Sequence, residues 1–499
     1  MCMFFSSHNH SHYSNFRLLD AINRPEHLFD RAIEIGLTGF AITDHESLSA
    51  HVGIMKLRDE MKKSGKLPED FTVGFGNEAY LVDEIDLGIK YFHWLVIAKD
   101  RKGHDILRKL SSQAWDNAYT DRGMQRVPIT KQQVKDIMER ENGKGHLIVT
   151  SACLGGELGS HALAIKGLEE TGLVTEDPLL NHIVDKYMGE WQSFKDIDIN
   201  ELINYHKQEM VEYVNWNIEV FGKENFFIEL APNSNEQVYA NEMLYNLAKA
   251  YDLKPIFATD SHYLTKDDQA IHRAFLNSKD GEREVDDFYS TAYMMDIDEV
   301  WEYMQISFTR EQFIEMRNNL EYMRSMIEEY SLFREQEIPR VEVQVPEIMH
   351  PQITDGEKYP HMYTLLGSDH DQDLFWIRTC LNELYKRGKW NEEYLEALEN
   401  EAEVIVKVSE RLGQDMSAYY NTAKRLIEIM WDKGNSLVGA SRGSAMAFLS
   451  NWLLDITQID PIPYEIPYWR HLSANRPELP KQNWASELNL SKGCAAQPC

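Results

Sequence analysis

Leu37-Thr38-Gly39-Phe40-Ala41-Ile42-Thr43-Asp44-His45-Glu46 is the stretch that decides the fold. Its first six residues read as a short buried strand, and the polar group Thr43 to Glu46 follows directly. Upstream, Glu26, His27, Leu28, Phe29, Ala32, Ile33 and Ile35 lay out a helical apolar face. Gly36 then supplies the residue that stops a helix. Helix, apolar strand and ligand-rich strand end, in that order, form the unit from which α/β barrels are built, with chemistry at the C-terminal ends of the strands.

The pattern recurs. Phe71 to Asn77 leads into Glu78, Tyr91 to Ala98 contains His93, and His146 to Thr150 ends at Ser151-Ala152-Cys153. Phe226 to Leu230 is a further strand, and Pro255 to Thr259 ends at Asp260-Ser261-His262. Helical patterns over 104–115, 198–221 and 235–251 separate these strands. Alternation of this kind predicts a barrel of β/α units over the first part of the chain. At the N-terminus, Met3, Phe4 and Phe5 lead into His8-Asn9-His10. In an extended backbone this spacing puts both imidazoles on one face.

Beyond residue 275 the texture changes. Residues 282–302 are acidic and mixed, and 309–330 read as a helix. Pro339, Pro346, Pro351 and Pro360 mark 338–360 as an extended connector, and 371–433 is strongly helical. No internal repeat is present.

Composition sets outer bounds. The chain has 499 residues, 43% of them hydrophobic and 26% charged, as in soluble globular proteins. No apolar run is long enough for a membrane helix, and histidines stand where a secretory signal would be apolar. Five unevenly spread cysteines give no disulfide framework, which predicts a reducing, cytoplasmic setting. A formal charge of -30 argues against coating by nucleic acid through the overall field. It leaves room for a local basic groove and for carboxylates gathered around divalent metals.

Collected together, His8, His10, Asp20, His45, Glu78, His93, Cys153, Asp260 and His262 are ligand-competent residues at the ends of successive strands. His, Asp and Glu suit zinc, manganese or iron ions, and a set this large predicts two or three divalent metals. Such a centre lowers the pKa of a bound water and clamps both oxygens of an in-line phosphoryl displacement, so a phosphoesterase is the chemistry expected.

The motifs His8-x-His10-Ser-x-Tyr13-Ser14, Ile42-Thr43-Asp44-His45, Gly76-x-Glu78-Ala79-Tyr80, Phe92-His93, Ser151-x-Cys153-Leu154-Gly155-Gly156 and Ala258-Thr259-Asp260-x-His262 resemble the polymerase and histidinol phosphatase (PHP) domain. More narrowly, they resemble its version at the N-terminus of C-family bacterial replicative polymerases, the alpha subunit of DNA polymerase III. The resemblance implies that these nine positions are metal ligands, with His8, His10, Asp260 and His262 at the catalytic centre of a metal-dependent 3′→5′ exonuclease. Asp20 departs from the pattern, because the family places this aspartate closer to the His-x-His pair.

A second stretch, Val438-Gly439-Ala440-Ser441-Arg442-Gly443-Ser444-Ala445, resembles the palm motif that binds the incoming nucleotide's triphosphate. That implies phosphate contacts from Arg442, Gly443 and Ser444. Ser441 departs from the usual lead-in. The neighbours Ile456-Thr457-x-Ile459-Asp460-Pro461 and Trp469-Arg470-x-Leu472 fit, and Asp286-Asp287-Phe288-Tyr289 resembles the early palm. The fold expected is α/β, a distorted (β/α) barrel followed by a mostly helical, incomplete α+β palm region. The domains expected are the PHP domain over 1–275, a connector and start of palm over 276–370, palm helices with the Gly-Ser motif over 371–480, and a non-family tail over 481–499.

The family's aspartate-rich strand, which holds magnesium for nucleotidyl transfer, should follow Pro480, where Lys481-Gln482-Asn483-Trp484 stands instead. Polymerisation by this chain alone is therefore not expected. An interruption of the coding sequence after Pro480 (intron, split gene or frameshift) is the reading adopted, with a naturally shortened protein as the alternative and a bacteriophage as the source. The partners implied are primer-template or single-stranded DNA, deoxynucleoside triphosphates once the palm is complete, and replisome proteins, with no membrane. Two other functions fit the same site: a stand-alone phosphatase of the histidinol phosphatase type, and a non-enzymatic polymerase scaffold.

Overall fold

The computed structural model describes residues 3–16, 19–86, 91–121, 124–171, 198–232, 235–278, 287–334, 337–441 and 443–475. The chain divides into two compact units, Met1–Phe333 and Arg334–Cys499.

The first unit is a curled eight-stranded sheet with helices around it. Its strands are β1 (Phe5–Ser6), β2 (Gly39–Ile42), β3 (Thr72–Val82), β4 (Phe92–Ala98), β7 (Pro128–Thr130), β8 (Leu147–Thr150), β9 (Phe226–Leu230) and β10 (Lys254–Phe257). A separate hairpin joins β5 (Tyr119–Asp121) to β6 (Met124–Arg126). The sheet order is β1-β2-β3-β4-β8-β9-β10, with β7 paired to β3. Beyond its two ends, Asn9 bridges Ser261, with His10 N donating to Ser261 O at 2.9 Å, so the first and last strands meet at one rim.

The β/α alternation holds for most of this unit. Helices α1 (Pro25–Glu34), α2 (His51–Lys63), α3 (Arg101–Asp116), α4 (Lys131–Arg140), α5 (Glu157–Thr171), α6 (Ile199–Phe221) and α7 (Asn235–Ala250) lie between strands. Gly36, at φ +70°, ends the first α-helical run as expected, and Leu37 N reaches back to Ala32 O at 2.9 Å. One departure matters for the site. β4 runs antiparallel to both β3 and β8, because only residues 83–91 connect β3 to β4, too few for a crossover helix.

The first unit also extends past residue 275. Helices α8 (Gln269–Leu276), α9 (Ile297–Met304) and α10 (Arg310–Ser325) follow. Phe313 of α10 stacks on Phe257 of β10 at 5.1 Å, and Phe308 packs on Tyr245 at 5.3 Å. Residues 287–333, expected to open the palm, therefore share the barrel's core.

In the second unit, α11 (Pro360–Leu366), α12 (Asp371–Lys386), α13 (Glu392–Leu412), α14 (Met416–Asp432) and α15 (Leu449–Leu453) enclose a core of Trp376, Ile377, Leu381, Leu398, Ile405 and Phe448. Among the described residues this unit has no strand. The proline-rich connector lacks helix and strand, as expected, up to Pro360, which opens α11, yet it is laced to the helices. Ile338 N donates to Gln414 Oε1 and Met349 N to Asn382 Oδ1, both at 2.7 Å, and Thr422 Oγ1 donates to Pro339 O at 2.8 Å. Among the described residues no helix is long and apolar enough to cross a membrane.

Two glycine substitutions separate close packing from helix propensity. A Cβ on Gly39 would sit 2.1 Å from Thr72 O across the β2–β3 pair, whereas one on Gly53, inside α2, meets nothing within 4 Å. Gly39→Ala should lower stability by about 1–3 kcal/mol, and Gly53→Ala should raise it by about 0.5–1 kcal/mol. Denaturant midpoints at constant slope measure both.

Candidate metal centre

The site begins in the extended run after β1. His8 and His10 fall on one side of the backbone, and Asn9 on the other ties the rim together. Asn9 Nδ2 donates to Ser6 O and Ala41 O, each at 3.0 Å, and its Oδ1 accepts from Ser261 Oγ at 2.6 Å. His45 follows β2, Cys153 follows β8, and Asp260 and His262 follow β10. Glu78 sits midway along β3. His93 lies at the start of β4, and the reversed direction of that strand brings its start to the rim where its parallel neighbours end.

All nine residues singled out in the sequence come together. Three groups have ligand atoms all within 4.8 Å of one another: His10, Asp20, His45 and His262; His8, His10, Glu78 and Asp260; and His45, Glu78 and His93. Glu78 is central, with Oε2 3.0 Å from His45 Nδ1 and 3.2 Å from His10 Nε2, and Oε1 2.9 Å from His93 Nδ1. Cys153 Sγ joins the third group, 3.6 Å from His93 Nδ1 and 3.9 Å from Glu78 Oε1. Asp20 Oδ2 lies 2.9 Å from His45 Nε2 and 3.1 Å from His262 Nε2.

The donor set fits divalent cations. Asp20 Oδ2, Glu78 Oε2 and His45 Nδ1 are buried and make no hydrogen bond, although each has an oppositely charged partner nearby. Ligand atoms this close together, buried and without well-aligned hydrogen bonds, are an arrangement that a metal completes.

The electrostatics agree. Burial opposes charge on His8, yet the Asp260, Glu229 and Glu78 carboxylates hold its pKa well above the usual histidine value. His45 is likewise raised against burial by Glu78 and Asp20, and His262 by Asp20 and Asp260. Burial would raise Asp20, Glu78 and Asp260, but the surrounding imidazoles hold all three below the usual carboxylate range. The Cys153 thiol is pushed well up by burial and by Asp260 and Glu78. Buried histidines without such carboxylates go the other way: burial and the His104 ring lower His51 to about 3. The site is thus a buried anion cluster that recruits cations.

Several contributors escaped the sequence reading. Glu229 in β9 places Oε1 2.7 Å from His8 Nδ1 and accepts from Thr150 Oγ1 through Oε2 at 2.7 Å. It orients the His8 ring so that Nε2 faces the cluster, a common outer-shell role. Its signal was a charged residue within the apolar run Phe226-Phe227-Ile228-Glu229-Leu230. Asn15 explains the unusual spacing of Asp20. Its Oδ1 accepts from Asp20 N at 2.7 Å and Ala21 N at 2.9 Å, and its Nδ2 donates to Ala21 O at 2.6 Å. Tyr289, read as early palm, donates its hydroxyl to Asp20 Oδ1 at 3.0 Å in the first unit. Asp260, Ala152 and Glu46, each at or beside a ligand, have left-handed backbones at φ 46°, 57° and 50°, and such positions cluster at functional sites.

The Gly-Ser motif lies in the second unit. Gly443 opens the 3-10 turn Gly443–Ala447 at φ +65°, a conformation that suits glycine. Ser444 Oγ lies 3.3 Å from His471 Nδ1. Arg442 and the tail from 481 lie outside the described residues, as does Asp286.

Comparison with known proteins bears on both units. Residues 6–233 match the family described as PHP domain, and residues 375–482 match the bacterial DNA polymerase III alpha NTPase domain. The chain is 40% identical over 492 residues to "Probable DNA polymerase YorL" of Bacillus subtilis (strain 168), covering 95% of this chain and 36% of that one. It shows the same identity and coverage against "DNA-directed DNA polymerase" of Bacillus phage SPbeta. It is 27% identical over 512 residues to the DNA polymerase III subunit alpha of Campylobacter jejuni, covering 96% and 35%. The chain spans about a third of the length of these curated relatives. Residues 6–233 belong to the PHP domain family and residues 375–482 to that of DNA polymerase III alpha, so this is a DNA polymerase III alpha-like chain with an N-terminal PHP domain.

Proposed function

We propose that this chain is the N-terminal portion of a DNA polymerase III alpha-type DNA polymerase, and that its PHP barrel is a metal-dependent 3′→5′ exonuclease. The observation that carries the reading is the convergence of all nine ligand-competent side chains on one rim, with no position replaced by an inert residue. Two or three divalent metals (zinc, manganese or iron) would be held by the three groups described. When bound, they supply Lewis acidity and an activated water for in-line displacement at phosphorus.

The chain's own residues set the geometry. Glu229 fixes His8, Asp260 O fixes His262 through Nδ1 at 2.7 Å, and Ser14 Oγ lies 3.2 Å from His10 Nδ1. The side chains of His8, His10 and Glu78 are fully buried, whereas that of His93 is 26% exposed and that of His45 11%, so a strand end approaches from the His93 side. An open cleft of about 760 Å³ beside the turn His12–Phe16 is walled by Tyr13, Trp115 and Arg108. Aromatic faces and a cation are what single-stranded nucleic acid requires. In a complete polymerase, Arg442, Gly443 and Ser444 contact deoxynucleoside triphosphate, with magnesium on palm residues beyond Pro480. Primer-template DNA and replisome proteins are the partners, in the bacterial or phage-infected host cytoplasm.

Asp260→Ala should abolish metal-dependent 3′→5′ digestion of single-stranded DNA, and undiminished digestion would overturn the reading. Turnover of a phosphomonoester without action on DNA ends would favour a phosphatase instead. Glu229→Gln should weaken metal affinity or activity by roughly 10–100-fold while leaving the nine ligands in place. Because His8, His45 and His262 hold protons above their usual pKa, loading the centre at pH 7 should release protons, and affinity should fall as pH drops. Calorimetry of zinc binding in buffers of different ionisation enthalpy reads this directly, and equal heats in all buffers would rule it out.

A further inference from the structure

A second group of ligand atoms lies outside the nine-residue centre. Glu157 and His161 are one turn apart on α5, so their side chains share a face. Glu209 meets them from α6, and the ligand atoms of the three all lie within 4.8 Å of one another. We propose that Glu157, His161 and Glu209 bind one divalent metal ion of the zinc or manganese class that clamps α5 to α6.

The strongest support is Glu157. Its residue is 2% exposed, and its Oε2 makes no hydrogen bond. Lys131 Nζ takes only the other oxygen, at 2.8 Å, and shares its charge with Asp83 at 3.0 Å. A buried carboxylate oxygen left in this state is costly unless a cation meets it. Burial pushes the Glu157 pKa up to about 7, with the Lys131 ammonium pulling only partly against it, so this carboxyl is short of the positive charge that a bound divalent ion would supply. The His161 ring is held in place, with Nδ1 2.9 Å from His206 Nδ1. One imidazole and two carboxylates suit zinc or manganese, with water filling the remaining positions. The location gives the ion a role. Glu157 directly follows Gly156, and the preceding Gly155 O accepts from His93 N at 2.9 Å, so a clamp on α5 also steadies the Cys153 loop.

The test counts zinc on the full chain, after chelation, reloading with zinc and removal of excess. Glu157→Gln and His161→Gln should each hold one zinc fewer than the parent protein. In a His8→Ala/His10→Ala background the clamp zinc should persist, and it should disappear when His161→Gln is added. Glu209→Gln, at a half-buried position, carries the same test if a core variant fails to fold, with circular dichroism as the check. Zinc content equal to the parent's in folded Glu157→Gln, His161→Gln and Glu209→Gln would overturn the proposal. The count does not depend on DNA cleavage, so it stands or falls separately from the exonuclease reading.

Discussion

The first unit depends on one electrostatic constraint: Glu78 is fully buried and ionised. A carboxylate moved alone into a protein interior loses several kcal/mol of hydration. Here the loss is offset by four imidazoles from three stretches of the chain, His8 and His10, His45, and His93, whose ring nitrogens lie 2.9 to 3.4 Å from its oxygens. Those four come from the neighbouring strands β1, β2 and β4, whereas Asp260 and His262, after β10, join them only if the sheet curls until its first and last strands meet. The bridge between Asn9 and Ser261 is that closure. Asn9, between the two histidines, satisfies backbone carbonyls on two segments with one amide, so the residue that closes the rim also spaces the ligands.

Strand direction then decides which residues can take part. In a parallel barrel, ligands sit after strands, and His45, Cys153, Asp260 and His262 do so. Because β4 is antiparallel, the start of that strand is the reactive rim, and His93 occupies it. β3 is correspondingly long, so that its middle supplies Glu78 while its far end pairs with β7. Gly76 lets β3 approach its neighbours there, since a Cβ would lie 2.6 Å from Val96 O and 2.9 Å from Thr43 Cγ2.

The strands and the ligand set were legible in the sequence because both rest on short-range signals. A four- to seven-residue apolar run followed by His, Asp or Cys is visible without knowing what it pairs with. Strand direction was not legible: Tyr91 to Ala98 reads alike in either sense, and His93 was found by residue type rather than by place. Glu229 was seen as part of a strand and not as a partner, because its role depends on His8, 221 positions away. The delivery of Asp20 by Asn15 is a side-chain solution to a spacing that looked anomalous. The extent of the first unit was also out of reach, since the contacts of Phe308 and Phe313 with Tyr245 and Phe257 leave no periodic trace that separates them from a new domain.

Buried carboxylates in the two units show how environment, rather than burial, distinguishes a cation centre from a structural cap. Glu401 in α13 is as buried as Glu78, and it accepts hydrogen bonds from Leu449 N at 2.5 Å and Ser450 N at 2.9 Å at the start of α15. Its hydrogen-bond donors are neutral backbone amides. Burial therefore wins, and its pKa rises to about 7, with the Ser450 and Leu449 hydrogen bonds pulling only partly against it. Glu78 and Asp260 face imidazoles instead and stay below the carboxylate range. A carboxylate whose partners are neutral amides can hold a helix start such as that of α15. One that stays charged in the interior leaves negative potential that only protons or metal ions can balance, and that potential marks the rim of the barrel as the place where cation-dependent chemistry belongs.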